Sequence, residues 1–130
     1  MMRALFALGL AATAAATKAT ITPLGNQSNA TAAAPPNYEV TFFTDVKGAE
    51  SEIVVAVKRS EAPLGADNFF ACVQDGFYNE SAFFRVVPGF VVQFGIAGSK
   101  AENQKWLHKS IKDDPVVGSN TVGTLVYADA

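Results

Sequence analysis

Charge and metal-binding side chains are scarce in this chain. Only 17% of its 130 residues are charged, the net charge is −2 and the isoelectric point lies near 5.3. No basic stripe is present to grip phosphates, so a nucleic-acid partner is not expected. A single cysteine, Cys72, rules out an internal disulfide. Far from any His or Arg in sequence, it reads as a buried, inert thiol. With one histidine, His108, there is no zinc-type ligand spacing, and no phosphate-cradling glycine motif occurs either. Asp113-Asp114 before Pro115 reads as the start of a turn rather than half of a metal site. Neither metal nor organic cofactor is expected. Nor does any apolar run approach the roughly 20 residues that cross a bilayer, so no membrane partner is expected.

What is plentiful is apolar side chain, 49% of the chain, enough for one folded domain plus extras. The N-terminus has the layout of a secretory signal: a short basic start (Met1-Met2-Arg3), apolar residues 4–12, then small residues for cleavage. Residues 1–16 are therefore expected to be a signal peptide. Residues 17–37 are rich in Thr, Ala, Asn and Pro and lack periodicity, so a disordered linker is expected there. Sequons for N-glycosylation start at Asn26, Asn29 and Asn79. Together these features point to the secretory pathway.

From Tyr38 onward the pattern becomes regular. Tyr38, Val40 and Phe42 alternate on one face of a first strand, and Ile53, Val55 and Val57 on one face of a second, an antiparallel hairpin. Pro63 suits the first turn of a helix that sets Ala62, Ala66, Phe69, Phe70 and Val73 on one side. Gly76 is placed to end it in a left-handed cap. Two further strands lie at 83–87 and 91–95. A long connection with a short helix over Glu102–Ile111 follows, then a last strand at Thr124–Tyr127. The basic face of Lys105, His108, Lys109 and Lys112 on that helix reads as a surface, with Trp106 turned inward. The order predicts a mainly β fold, an antiparallel barrel with a capping helix.

The informative stretch is FFRVVPGFVVQFG, residues 83–95. Strand alternation puts Arg85 and Val87 on one face before the Pro88-Gly89 turn, and Val91 and Gln93 on one face after it. A cation and an amide beside Phe90 and Val91 would give an apolar pocket with two polar handles.

This run resembles the active-site hairpin of the cyclophilins, prolyl cis-trans isomerases, whose usual pattern is F-H-R-V-I-P-G-F-M-I-Q-G-G. Phe83, Arg85, Val86, Pro88, Gly89, Phe90, Gln93 and Gly95 match it, while Phe84, Val91 and Phe94 depart from it. The segment GTLVYADA is similar to the family's G-T-L-S-M-A-N-A, with Asp129 where Asn is usual. The resemblance runs over residues 38–130 and implies a cyclophilin-like barrel, incomplete at the C-terminus because the family's later strands and second helix find no counterpart. It implies Arg85 as catalytic donor, with Phe90, Val91, Gln93, Ala128 and Asp129 binding substrate. It further implies a monomer acting on proline-containing peptides and unfolded chains. A non-catalytic peptide-binding remnant is the alternative, and a lipocalin-like carrier a third, which the Arg-Val-Val-Pro-Gly-Phe hairpin disfavours.

Overall fold

The alternation that begins at Tyr38 builds the centre of the molecule. In the computed structural model, which describes residues 2–4, 15–24, 34–46 and 52–128, strand β3 spans Asn37–Thr44. Its neighbour β4 spans Glu52–Lys58, antiparallel and with Tyr38 opposite Val57. Tyr38, Val40 and Phe42 are buried, whereas Ile53, Val55 and Val57 are only partly covered. The remaining elements are β1 (Met2–Ala4), β2 (Ala15–Pro23), α1 (Pro63–Gln74), β5 (Ser81–Ala82), β6 (Arg85–Val87), β7 (Val91–Phe94), α2 (Lys100–Trp106) and β8 (Leu125–Tyr127).

Among the described residues the strands form two four-stranded antiparallel sheets, ordered β6-β7-β1-β8 and β4-β3-β2-β5. A mainly β chain with a helix laid over it is as expected; among the described residues the strands do not close into a barrel. Closure needs an unbroken hydrogen-bonded ring of strands, and here β4 and β8 each end a sheet. The linker expectation also needs correction at its start. Ala15–Pro23 is a strand paired along β3 from Ala16 to Pro23, with an irregularity between Ala16 and Lys18. The run Thr20-Ile21-Thr22 is β-branched, and pairing with a long neighbour overrides a composition that looked unstructured.

Helix α1 carries Ala66, Phe69, Cys72 and Val73 into the core. Phe42 stands edge-on to Tyr78 and Phe94, with ring centroids 5.6 and 5.3 Å away, and Phe69 meets Tyr78 at 5.6 Å. Burying each such ring is worth roughly 1.5–3 kcal/mol. The Tyr38 hydroxyl donates to the Ala66 carbonyl at 2.6 Å, which ties β3 to the helix. Burial, with Asp67 nearby, raises that phenol's pKa well above its usual value.

Both ends of α1 are fixed. At its C-terminus Gly76 takes a φ of 75°. Its N–H donates to Val73 and that of Phe77 to Cys72, the pair of bonds of a Schellman cap. At its N-terminus Ala62 has no side chain able to cap. Asp114 does so from a distance, accepting the N–H groups of Leu64 and Gly65 at 3.0 and 2.8 Å. A carboxylate also suits the positive end of the helix dipole.

Helix α2 starts earlier and stops earlier than expected, at Trp106 rather than Ile111. Trp106 is held by Asp75, whose carboxylate accepts its indole N–H at 3.0 Å, and by Phe77, 6.1 Å between ring centroids. Beyond it Leu107 is 72% exposed. A short helix draws its stability from a packed apolar face, and that face ends with Trp106.

Candidate functional site

The hairpin of β6 and β7 places the functional side chains. The turn between them runs Val87-Pro88-Gly89-Phe90, with the Phe90 N–H bonded to the Val87 carbonyl at 3.0 Å. Proline presets the second position, and the third must be left-handed in a type II turn. Gly89 supplies that with a φ of 73°. The turn sets the register Arg85↔Gln93, Val86↔Val92, Val87↔Val91. Residues directly opposite lie on the same face, so the faces read from alternation are those found.

Arg85 and Gln93 meet. Arg85 Nη1 donates to Gln93 Oε1 at 2.8 Å. Gln93 is 4% exposed, so its amide oxygen needs a partner, and the guanidinium provides one. A hydrogen bond to a charged group is worth about 1.5–3 kcal/mol. Arg85 itself is exposed. A guanidinium carries five N–H groups in a fixed fork, so one bond to Gln93 orients it and leaves others for a ligand.

Phe90 and Val91 do not form a shared wall. Val91 lies 1% exposed, on the same side as Gln93, while Phe90 ends the turn at 54% exposed. Neighbouring residues entering a strand point to opposite faces, which is the physical reason. Ala128 follows β8 and is half-buried. Asp129, Asn26 and Asn29 lie outside the described residues. Asn79 is exposed, in the turn before β5.

The large cavity is elsewhere. An open groove of about 1120 Å³ lies between β4, α1 and the segment leading to β8, and Ala128 and Phe94 line it. Arg85, Phe90, Val91 and Gln93 do not. A smaller hollow of about 340 Å³ sits between Ile21 of β2 and Phe70 and Val73 of α1. We locate the chemistry by the converging polar groups of the hairpin, because size alone supplies no donor.

Three further arrangements were not foreseen. Asp114 caps α1, as described. Asp75 takes Lys105 at 2.6 Å as well as Trp106, and these partners hold its carboxyl below the usual range, with Lys105 the larger cause. Lys109 stacks 3.9 Å above the Trp106 ring. The basic face is thus partly engaged in structure, and His108 stays exposed beside it. Cys72 is buried, and burial pushes its thiol up to about 12, in line with an inert role.

Comparison with known proteins fits this geometry. Residues 41–130 match the family model described as cyclophilin type peptidyl-prolyl cis-trans isomerase/CLD. Peptidyl-prolyl cis-trans isomerase B of Escherichia coli is 36% identical over 90 residues, 68% of this chain and 52% of that protein. Peptidyl-prolyl cis-trans isomerase A of Dickeya dadantii is 35% identical over 96 residues, 72% of this chain and 50% of its own. A shorter likeness, 39% over 46 residues, joins 35% of this chain to 8% of peptidyl-prolyl isomerase cwc-27 of Neurospora crassa. The chain spans about half the length of the two bacterial relatives. No solved structure matches it.

Proposed function

The chain belongs to the cyclophilin-type peptidyl-prolyl cis-trans isomerase family, and from that premise we propose that it speeds rotation about X–Pro bonds in peptides and unfolded chains. The observation that carries this reading is the Arg85–Gln93 pair on the β6–β7 hairpin.

Rotation about a peptide bond crosses a barrier of about 18–20 kcal/mol. Without help an X–Pro bond takes tens to hundreds of seconds. No bond is made or broken. In the twisted state the prolyl nitrogen loses amide resonance and gains a usable lone pair. A donor aimed at it stabilises that state and does little for the planar one, which is what catalysis requires. Arg85 is that donor: always charged, planar and steadied by Gln93. Exposed Phe90 offers an apolar surface for the proline ring. Val91 supports the hairpin from beneath. Incubating the chain with a proline peptide and following cis-trans exchange by NMR tests the activity, and exchange no faster than in buffer would overturn it.

The setting we propose is the secretory pathway, with residues 1–16 removed, the protein acting as a monomer and Asn79 open to glycosylation. The support is the layout of the N-terminus and the exposure of Asn79. Cleavage near residue 16 would take β1 from between β7 and β8, so the processed chain must differ in that sheet. N-terminal sequencing of material from the producing cell decides this, and an intact Met1 would sink it.

A further inference from the structure

We propose that the sequon Asn79-Glu80-Ser81 accepts an N-linked glycan in the unfolded chain only, because folding buries the hydroxyl that the transferring enzyme reads. Transfer to Asn79 must precede the docking of residues 96–98, which closes the sequon. The inference deepens the secretory setting proposed above and rests on it for its occasion in the cell.

A sequon is recognised as a unit, an asparagine that takes the sugar and a hydroxyl two positions on. The fold treats its two ends differently. Asn79 is exposed, whereas Ser81 is 1% exposed. The single O–H of Ser81 already donates to the Ile96 carbonyl at 2.8 Å, and its N–H to the Tyr78 carbonyl at 3.2 Å. Strand β5, which holds it, pairs with Ala15 and Ala16 of β2. Between the two ends Glu80 has a φ of 56°, the one left-handed non-glycine among the described residues. Such a conformation persists only where its surroundings fix it, and here residues 96–98 do so. The Gly98 N–H donates to the Asn79 carbonyl at 3.4 Å. A Cβ on Gly98 would stand 2.6 Å from the Glu80 Cβ and 2.7 Å from its carbonyl oxygen. The segment lies directly on the sequon, and no enzyme pocket fits between them.

The transfer balances with one co-reactant, an oligosaccharide carried on a lipid pyrophosphate. Asn79 Nδ2 forms a bond to the first sugar carbon and loses one proton. The bond from that carbon to the pyrophosphate oxygen breaks, and the lipid pyrophosphate leaves with the electron pair. Nothing is oxidised or reduced. In the folded chain Asn79 Oδ1 accepts the Ala19 N–H at 3.4 Å, and a sugar on Nδ2 leaves that oxygen able to accept. A glycan attached early is thus compatible with the fold that forms after it.

The experiment uses purified oligosaccharyltransferase with its lipid pyrophosphate-linked oligosaccharide in detergent, so targeting plays no part. The acceptor is the full chain with Asn26→Gln and Asn29→Gln, which leaves the sequon at Asn79. One portion is diluted from denaturant straight into the reaction, and another is refolded first. Intact mass should show one glycan on the diluted portion, added about tenfold or more faster than to the refolded one. Adding Asn79→Gln should abolish the mass shift in both. Adding Gly98→Ala, which forces residues 96–98 away from Glu80, should raise the rate of the refolded portion toward that of the diluted one. Equal rates in the two portions of the parent chain, or no glycan on the diluted one, would overturn the proposal. An intact Met1 in the producing cell would remove the secretory setting but leave these two rates as they are, so the two failures are told apart.

Discussion

Arg85 and Gln93 stand opposite each other across a four-residue type II turn, with Nη1 2.8 Å from Oε1. One partner is exposed and the other is 4% exposed. The buried amide therefore acts as an anchor, and the exposed cation is the group free to reach a ligand.

Arg85→Ala should cut kcat/KM for a proline peptide by about 10- to 150-fold, the equivalent of one charged hydrogen bond of 1.5–3 kcal/mol. Its melting temperature should fall modestly as well, because the buried Gln93 amide oxygen loses its partner, at about 1–3 kcal/mol. Gln93→Leu keeps the volume but frees the guanidinium, so a smaller loss is expected. An NMR exchange assay with thermal melts on both variants checks this. Equal activity in Arg85→Ala and wild type would remove Arg85 from the mechanism.

Acid should weaken the tie between α1 and the chain entering β3. Asp67 takes Arg59 through two bonds of 2.7 Å and accepts the Ala34 N–H at 3.0 Å. The Arg59 hydrogen bonds hold its carboxyl below the usual value of 3.8. A depressed pKa stabilises the fold above the unfolded value, and the effect fades as pH falls through the folded one. Asp67→Asn should therefore lower the melting temperature at pH 7 and make less difference at pH 3. The pair is partly exposed, so the effect is modest. An identical gap between the two proteins at both pH values would contradict the assignment.

Cys72 should resist an aromatic disulfide reagent at pH 8 and react fully once the chain is unfolded. Burial pushes its thiol up to about 12, so almost no thiolate exists in the folded protein. Rapid labelling under native conditions would mean that the groove wall it contributes to opens freely.

Gly76→Ala should destabilise by about 1–2 kcal/mol, the strain of a side chain in left-handed backbone. The added Cβ would also stand 3.0 Å from the Asn79 side chain. Asn at the same position should cost less, because it tolerates that conformation. Chemical denaturation of the three proteins measures the order.

The parts of this fold that were legible in the sequence are those set by local rules. A period of two fixed which residues of β3, β4 and the β6–β7 hairpin share a face, and Gly76 marked the end of α1. What escaped was non-local. Ala15–Pro23 lacks a clear apolar period, and its strand character comes from pairing with β3. Sequence placed Phe90 beside Val91 in one pocket wall, but the turn sends them to different sides. The ties of Asp75 to Lys105 and Trp106 join two helices, and no spacing rule announces such a contact.

The cap on α1 has a consequence for the order of folding. The carboxylate that closes the helix start belongs to Asp114, 49 residues after Gly65. A ribosome adding about 5–20 residues per second needs roughly 2.5–10 s to cover that distance. Once Gly76 and Phe77 have been added, the Schellman end can form, while until Asp114 arrives the first turn of α1 lacks the side-chain acceptor it has in the folded protein. The helix should thus form from its C-terminal end backwards. Its opening turn becomes secure only when Asp114 arrives.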